Sequence, residues 1–397
     1  MSLAERDARV IWHPYTNAGN SPPPIPIVRG EGAYLVAEDG RRYLDAISSW
    51  WTNVHGHAHP RLAAALARQA GELEHVMFAG FTHAPAVELA ERLAALLGLH
   101  RVFYSDNGST AVEAALKIAA QFWFNQGTPR TRFLRLSHSY HGDTVGAMSV
   151  SGVALFQEAH APLLFHADEY ADEVGDDVAA VIVEPMVQGA SGMRMHDAAF
   201  LQRIETQCRA AGALLIADEV MTGFGRTGRM FACEHAGVAP DLVCLSKGLT
   251  GGTLPFAATV VHERIFAAFE TGNPHHTLFH GHSYTGNPLG CAVALESLEL
   301  FEENDLLARA RTIGDRLAAG LEGLPGVRGL GSIWAVELEG EPGYLSELAP
   351  RLRAAALERG VLLRPLGPVL YAMPPLCIAD EEADRIAATM RELATMA

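Results

Sequence analysis

The stretch ALLIADEV (residues 213–220), followed one loop later by DLVCLSKG (residues 241–248), decides how the rest of the chain is read. Each half is a short apolar run that ends on a charge: Asp218 after Ala213–Ala217, and Lys247 after Leu242–Ser246. Strands buried on both faces of a parallel sheet have this look. Ligands of open α/β sheets bind outside the carboxyl ends of such strands. An acid and an amine are therefore expected on one rim of one sheet. Either residue alone is what an ordinary solvated loop carries. The order strand–acid, strand–amine suits pyridoxal phosphate, which requires a lysine for its carbonyl and an acid against its ring nitrogen.

The chain has 397 residues, enough for a large core and two or three domains. With 49% hydrophobic and 19% charged residues it has the composition of a globular protein. Its 30 basic and 46 acidic residues leave a net charge of -16, which disfavours nucleic acid as a partner. The five cysteines form no CxxC pair, which argues against a disulfide framework or zinc site. The opening MSLAERDARVIWHP has charges and no apolar core, so no secretory leader is expected, and no membrane is expected as a partner because no apolar run approaches the length of a span. A cytoplasmic location is the expectation.

Outward from the deciding stretch, residues 10–29 read as irregular because of Pro14, Pro22, Pro23, Pro24 and Pro26. AYLVAEDGRRYLDA (33–46) reads as a hairpin turning at Asp39-Gly40. SSWWTNVHGHAHP (48–60) reads as an aromatic, His-rich loop. Helices are expected from Pro60, and from Thr82 as N-cap to Gly98. RVFYSDNG, RFLRLSH, AAVIVEP and AATVV then alternate with helices, among them ERIFAAFE (263–270), as in an α/β domain. After residue 300 a smaller α+β unit follows. The division expected is an N-terminal segment 1–45 packing with the small unit, a large domain 46–300, and the small domain 301–397.

Gly108-Ser109-Thr110 lies between a strand and a helix start, where glycine, hydroxyls and free amides could hold a phosphate. Ser109 could equally be a plain N-cap. Gly223–Gly228 matches the dinucleotide fingerprint GxGxxG, but no amphipathic helix convincingly begins there. His55, His57 and His59 have a spacing that could ligate a metal, without a clustered Cys or carboxylate partner, so no metal is expected. Tyr15, Trp50, Trp51 and Tyr140 lie outside the amphipathic helices and could wall an apolar or cationic substrate. Arg364, closing VLL before Pro365, could grip a carboxylate.

LLIADEVMTGFGRTG (214–228), CLSKGLTGG (244–252) and HGHSYTGNPLGCAVA (280–294) together resemble the class III pyridoxal-phosphate-dependent aminotransferases of fold type I. IWHPYT, DAISSWW, HGHAHP, SYHGDT, EPMVQGASGMRM and RPLGPVLYAMPP are similar to one branch of that family. That branch takes its amino group from S-adenosylmethionine and gives it to 8-amino-7-oxononanoate, on the way to biotin. The resemblance implies a large domain with a mostly parallel sheet, and a smaller α+β domain built from both chain ends. It implies Lys247 as the Schiff-base lysine, Asp218 as partner of the pyridine nitrogen, Gly108 and Ser109 as the phosphate cradle, and Tyr140 along the ring. It further implies Tyr15 and Trp50 as substrate walls, Arg364 as the carboxylate receptor, and a homodimer with shared sites. In such a dimer Gly281, His282 and Ser283 would serve the neighbouring subunit. Many relatives have Pro-Thr where this chain has His282-Ser283, and the loop after Ser151 is short. Two other readings are a relative using lysine or another ω-amino donor, and a nicotinamide-dependent dehydrogenase built on Gly223–Gly228.

Overall fold

The computed structural model describes residues 1–340 and 343–396. Its centre is a seven-stranded sheet: β1 Arg101–Ser105, β2 Arg132–Arg135, β3 Asp168–Glu169, β4 Val178–Val183, β5 Leu214–Asp218, β6 Leu242–Leu245 and β7 Ala257–Val261. The spatial order is β1-β7-β6-β5-β4-β2-β3. The ladder is parallel except at β7, which runs antiparallel to both β6 and β1. Every residue of β4, β5, β6 and β7 is buried, so these strands carry apolar runs and not an alternation. Helices cover the faces. Gly108–Asn125 packs on β1, β4, β6 and β7, and Ala198–Ala211 leads into β5. The latter is capped by Asp197, whose carboxylate accepts from the Phe200 amide at 2.7 Å, and stops at Gly212 in the left-handed region.

The two ends of the chain share a second sheet. Ile27–Glu31, Tyr34–Ala37 and Arg42–Asp45 form an antiparallel meander, joined in parallel by Val361–Leu362. A third sheet contains Arg328–Leu330, Ile333–Glu337 and Val369–Ala372, against which the helices Leu306–Leu321 and Asp380–Ala394 pack.

Three local expectations are corrected. Residues 27–29 are not irregular: Ile27 and Arg29 pair with Ala37 and Val36, since the prolines end at Pro26 and leave free amides for the edge of the hairpin. The helix before Gly98 spans Ala84–Leu97 and is capped by His83, not Thr82; the His83 ring accepts from the Ala86 amide at 3.2 Å. ERIFAAFE is helical only over Glu263–Phe266, too short to cover a strand.

The segment after the hairpin is held by one carboxylate. Asp45 is fully buried and accepts from the Ile47 amide (3.2 Å), the Ser49 amide (2.6 Å), the Ser49 hydroxyl (3.1 Å) and the His57 ring (2.9 Å). Next to it Ser48, Ser49 and Trp51 all have positive φ, a conformation that costs side chains energy and needs external support. Ser48 supplies more by donating its hydroxyl to the Met373 carbonyl at 2.8 Å. Asp45→Ala removes four acceptor contacts and should cost about 2–4 kcal/mol, read by urea unfolding followed by tryptophan fluorescence. A loss below about 0.5 kcal/mol, the level of an ordinary surface change, would show that the turn stands without it.

Candidate active site

The parallel strands end on one edge, and their following residues meet in a cavity of about 660 Å³. β1 leads to Gly108 and Ser109, β2 to Tyr140 and His141, β4 to Glu184, β5 to Asp218 and β6 to Lys247. Asp218 faces Cys244 across the β5–β6 ladder, so acid and amine lie on adjacent strand ends.

Lys247 adopts a left-handed φ of 46° immediately after the strand, and its amine lies 4.8 Å from the Trp51 ring centroid. Burial pulls its pKa down to about 8, against the upward pull of Asp218 and Glu184, and Arg226 lowers it further. Asp218 is fixed on both oxygens: Oδ2 lies 2.7 Å from His141 Nδ1, and Oδ1 accepts from the Val220 amide at 3.1 Å. The buried His141 Nε2 has no partner among the described residues. Glu184 accepts from the amides of Tyr140 (2.9 Å) and Gly189 (3.0 Å), and burial pushes its pKa up to about 7.

At the far end of the cavity the helix Gly108–Asn125 begins. Its N-cap is Asn107, whose side chain accepts from the Thr110 amide at 3.1 Å. Ser109 is therefore not the cap. Its hydroxyl is turned to Thr144, pairing with the Thr144 hydroxyl at 2.7 Å and accepting the Thr144 amide at 2.9 Å. A Cβ on Gly142 would come within 2.5 Å of Ser109, and one on Gly108 within 2.5 Å of Val220. The loops thus close on the helix start only because both are glycine. Unpaired first-turn amides with hydroxyls beside them form an anion site.

A second cavity of about 350 Å³ adjoins the first, sharing Trp51, Tyr140, Asp143 and Lys247. Tyr15, Trp50 and Arg364 line it. The Tyr15 hydroxyl donates to the Asp143 carboxylate at 2.7 Å and lies 3.2 Å from the Tyr140 hydroxyl, which itself donates to Asp143 at 2.9 Å. Burial raises both phenol pKa values, so both remain protonated donors. The Arg364 guanidinium lies 4.2 Å from the Trp50 ring centroid.

Of the residues singled out from sequence, Gly108, Ser109, Tyr140, Asp218, Lys247, Tyr15, Trp50 and Arg364 converge on these two cavities. Gly281, His282 and Ser283 line neither. Gly281 and Ser283 are exposed, and His282 Nδ1 is 3.4 Å from Asp106, next to the helix start. Gly223–Gly228 is turn structure that buries Phe224 and Arg226 and is followed by no long helix, which removes the structural context a dinucleotide fingerprint requires. His55 and His57 go to separate partners, Ser297 and Asp45. Sequence reasoning passed over His141, Asp143 and Glu184. Glu184 follows the apolar run VAAVIV just as Asp218 closes LLIAD, so the same signal was there to be used.

Comparison with known proteins agrees with this geometry. Residues 15–393 match the family aminotransferase class-III. The chain belongs to the class III aminotransferases. The adenosylmethionine-8-amino-7-oxononanoate aminotransferase of Synechococcus elongatus is 50% identical, over 96% of this chain and 98% of the relative. The enzyme of that name from Geobacter sulfurreducens is 42% identical, over 96% and 95%. The crystal structure of the Methanocaldococcus jannaschii enzyme of that name superposes with a TM-score of 0.92 at 35% identity, covering 100% of this chain and 99% of that one. An amine transaminase from an uncultivated Pseudomonas species, in its PLP-bound form, gives 0.91 at 34% identity and 98% coverage of each.

This class III aminotransferase is accordingly an α/β protein of fold type I and a pyridoxal-phosphate-dependent transaminase. The cavity fits that cofactor: an anion site at the helix start, the His141-aligned carboxylate of Asp218, and a buried amine with a lowered pKa. In cofactor-stripped protein, reductive methylation of Lys247 should rise half-maximally near pH 8, not near the 10.5 of a free lysine. Glu184→Gln removes an anion that holds the proton on and should move that midpoint lower. Peptide mass spectrometry reads both, and an unshifted midpoint in the variant would remove Glu184 from the electrostatics of the amine.

Proposed function

We propose that this aminotransferase moves an amino group from S-adenosylmethionine to 8-amino-7-oxononanoate, yielding 7,8-diaminononanoate for biotin formation. The observation that carries this reading is the second cavity, which begins at the Lys247 amine, is walled by Tyr15, Trp50 and Tyr140, and holds Arg364. Apolar walls suit the methylene chain of the keto acid, and the guanidinium suits its carboxylate. Full-length relatives carry the name of this activity.

Lys247 is assigned as the residue whose amine would hold the cofactor and, as a free base, would carry a proton at the substrate carbon. An amine with a pKa near 8 is a free base often enough at neutral pH to do so. Asp218, aligned by His141, would face the ring nitrogen and favour its protonated form. Gly108 and Ser109 would hold the phosphate at the helix start, and Tyr140, its amide held by Glu184, would wall the cofactor cavity. Bound there, pyridoxal phosphate supplies the electron sink that lets a carbon–hydrogen bond ionise. Asp143 orients the two phenols at the substrate side.

We read the enzyme as a homodimer with shared sites. The exposure of Gly281, Ser283, Phe279 and Tyr284, on a loop that lines neither cavity, supports Gly281, His282 and Ser283 facing a neighbouring subunit. Five free thiols support the reducing environment of the cytoplasm. The pairing of Leu44 and Asp45 with Val361 and Leu362 supports residues 1–45 joining the small unit 301–397, beside a large domain 46–300.

Arg364→Ala should weaken binding of the keto acid substrate about 10–100-fold, the range of a lost charged hydrogen-bond pair, and leave the donor half-reaction nearly intact. Stopped-flow spectra of each half-reaction read this, and equal damage to both would sink the role. Running the donor arm with both S-adenosylmethionine and lysine tests the donor directly.

A further inference from the structure

Trp50 is already engaged by a cation, since the Arg364 guanidinium lies against its ring. A cationic donor entering the same cavity therefore has to be met by other aromatic rings. Two of those that line it were not legible as site residues in the sequence: Phe156 and Tyr344.

Phe156 is the hub of the aromatic wall. Its ring centroid lies 5.4 Å from Tyr15, 6.0 Å from Tyr140 and 4.8 Å from Tyr344, each pair edge-to-face. It comes from the short segment after Ser151, anchored by the Gln157 side chain, which donates to the carbonyls of Met148 (2.8 Å) and Ser151 (2.7 Å). Tyr344 arrives from the other side, ahead of the helix Leu348–Glu358, and donates its hydroxyl to the Ala190 carbonyl at 2.6 Å. That bond uses the polar end of Tyr344 and leaves its ring as the part lining the cavity. Among the described residues that line the cavity, Asp143 is the only carboxylate.

Lys247 and Arg364 share the cavity with that one carboxylate, so net charge gives an organic cation no attraction and the rings have to supply it. A sulfonium spreads its charge over its carbon substituents and is weakly hydrated, so aromatic faces replace its water at little cost; a primary ammonium is strongly hydrated and a thioether has no charge to reward. We propose that Phe156 and Tyr344, with Tyr15 and Tyr140, complete an aromatic cage that selects a sulfonium-bearing amino donor. The proposal rests on the aminotransferase reading above for the reaction itself and assigns the donor preference to this wall.

The test uses the full-length, cofactor-loaded enzyme. In the unaltered protein S-adenosylmethionine should bind about 3–30-fold more tightly than its uncharged thioether counterpart S-adenosylhomocysteine, the span of a cation–π contribution. Equal binding overturns the cage without recourse to any variant. Phe156→Leu and Tyr344→Leu should raise the donor KM by a similar factor of about 3–30 while kcat of the donor half-reaction and the thioether's inhibition constant stay near their starting values. Tyr344→Phe, which keeps the ring, should restore most of the sulfonium-over-thioether preference that Tyr344→Leu loses, and a loss as large as that of Tyr344→Leu would overturn the role of the ring. Sulfonium and thioether weakening in parallel, or neither changing, overturns the proposal. An unaltered enzyme that accepts lysine and not S-adenosylmethionine overturns the donor assignment itself, a result visible before any variant is read.

Discussion

Asp218 stands opposite Cys244 across two hydrogen-bonded parallel strands, and that register sets the distance between the acid and the amine that follows on the next strand. The site depends on this ladder more than on any single side chain. A slip of one residue would turn every side chain of β6 to the opposite face and carry Lys247 away from the rim. Fully buried strands on both sides of Asp218 make such a slip prohibitive, because all of β4, β5 and β6 would lose their packing. The rigidity that places the chemistry is thus a property of the apolar residues behind it.

With that spacing fixed, electrostatics grades the groups around the cavity. Burial works against charge on Lys247 and Glu184 alike, lowering the amine and raising the carboxyl until both titrate near neutrality. Asp218 is treated differently, with a histidine on one oxygen and a backbone amide on the other. Two acids on neighbouring strand ends therefore have distinct environments: two backbone amides hold Glu184, whereas a histidine and one amide hold Asp218.

Much of the scaffold was legible because its rule is local. Apolar runs gave the central strands, and Gly212 and Gly98 marked helix ends by their left-handed backbones. Lys247, Asp218 and Gly108 could be found because each follows a readable strand. What stayed hidden depends on contacts between segments far apart in the chain. Asp45 ends a hairpin like many aspartates, and only the fold shows it holding Ser49 and His57. Phe156 and Tyr344 look like ordinary loop aromatics until the fold sets their rings 4.8 Å apart. Ser109 could be read as a cap, and only the fold shows Asn107 in that place and the Ser109 hydroxyl turned to Thr144.

The parallel pairing of Val361–Leu362 with Leu44–Asp45 has a consequence for how the enzyme is made. A nascent chain emerges from its amino end, so the hairpin waits without its fourth strand until nearly all of the polypeptide has been synthesised. The strand ends that carry Gly108, Tyr140, Asp218 and Lys247 all emerge before Arg364, which lies just beyond the strand Val361–Leu362. Truncated products of interrupted translation thus lack the residue assigned to the keto acid, whatever remains of their cofactor site.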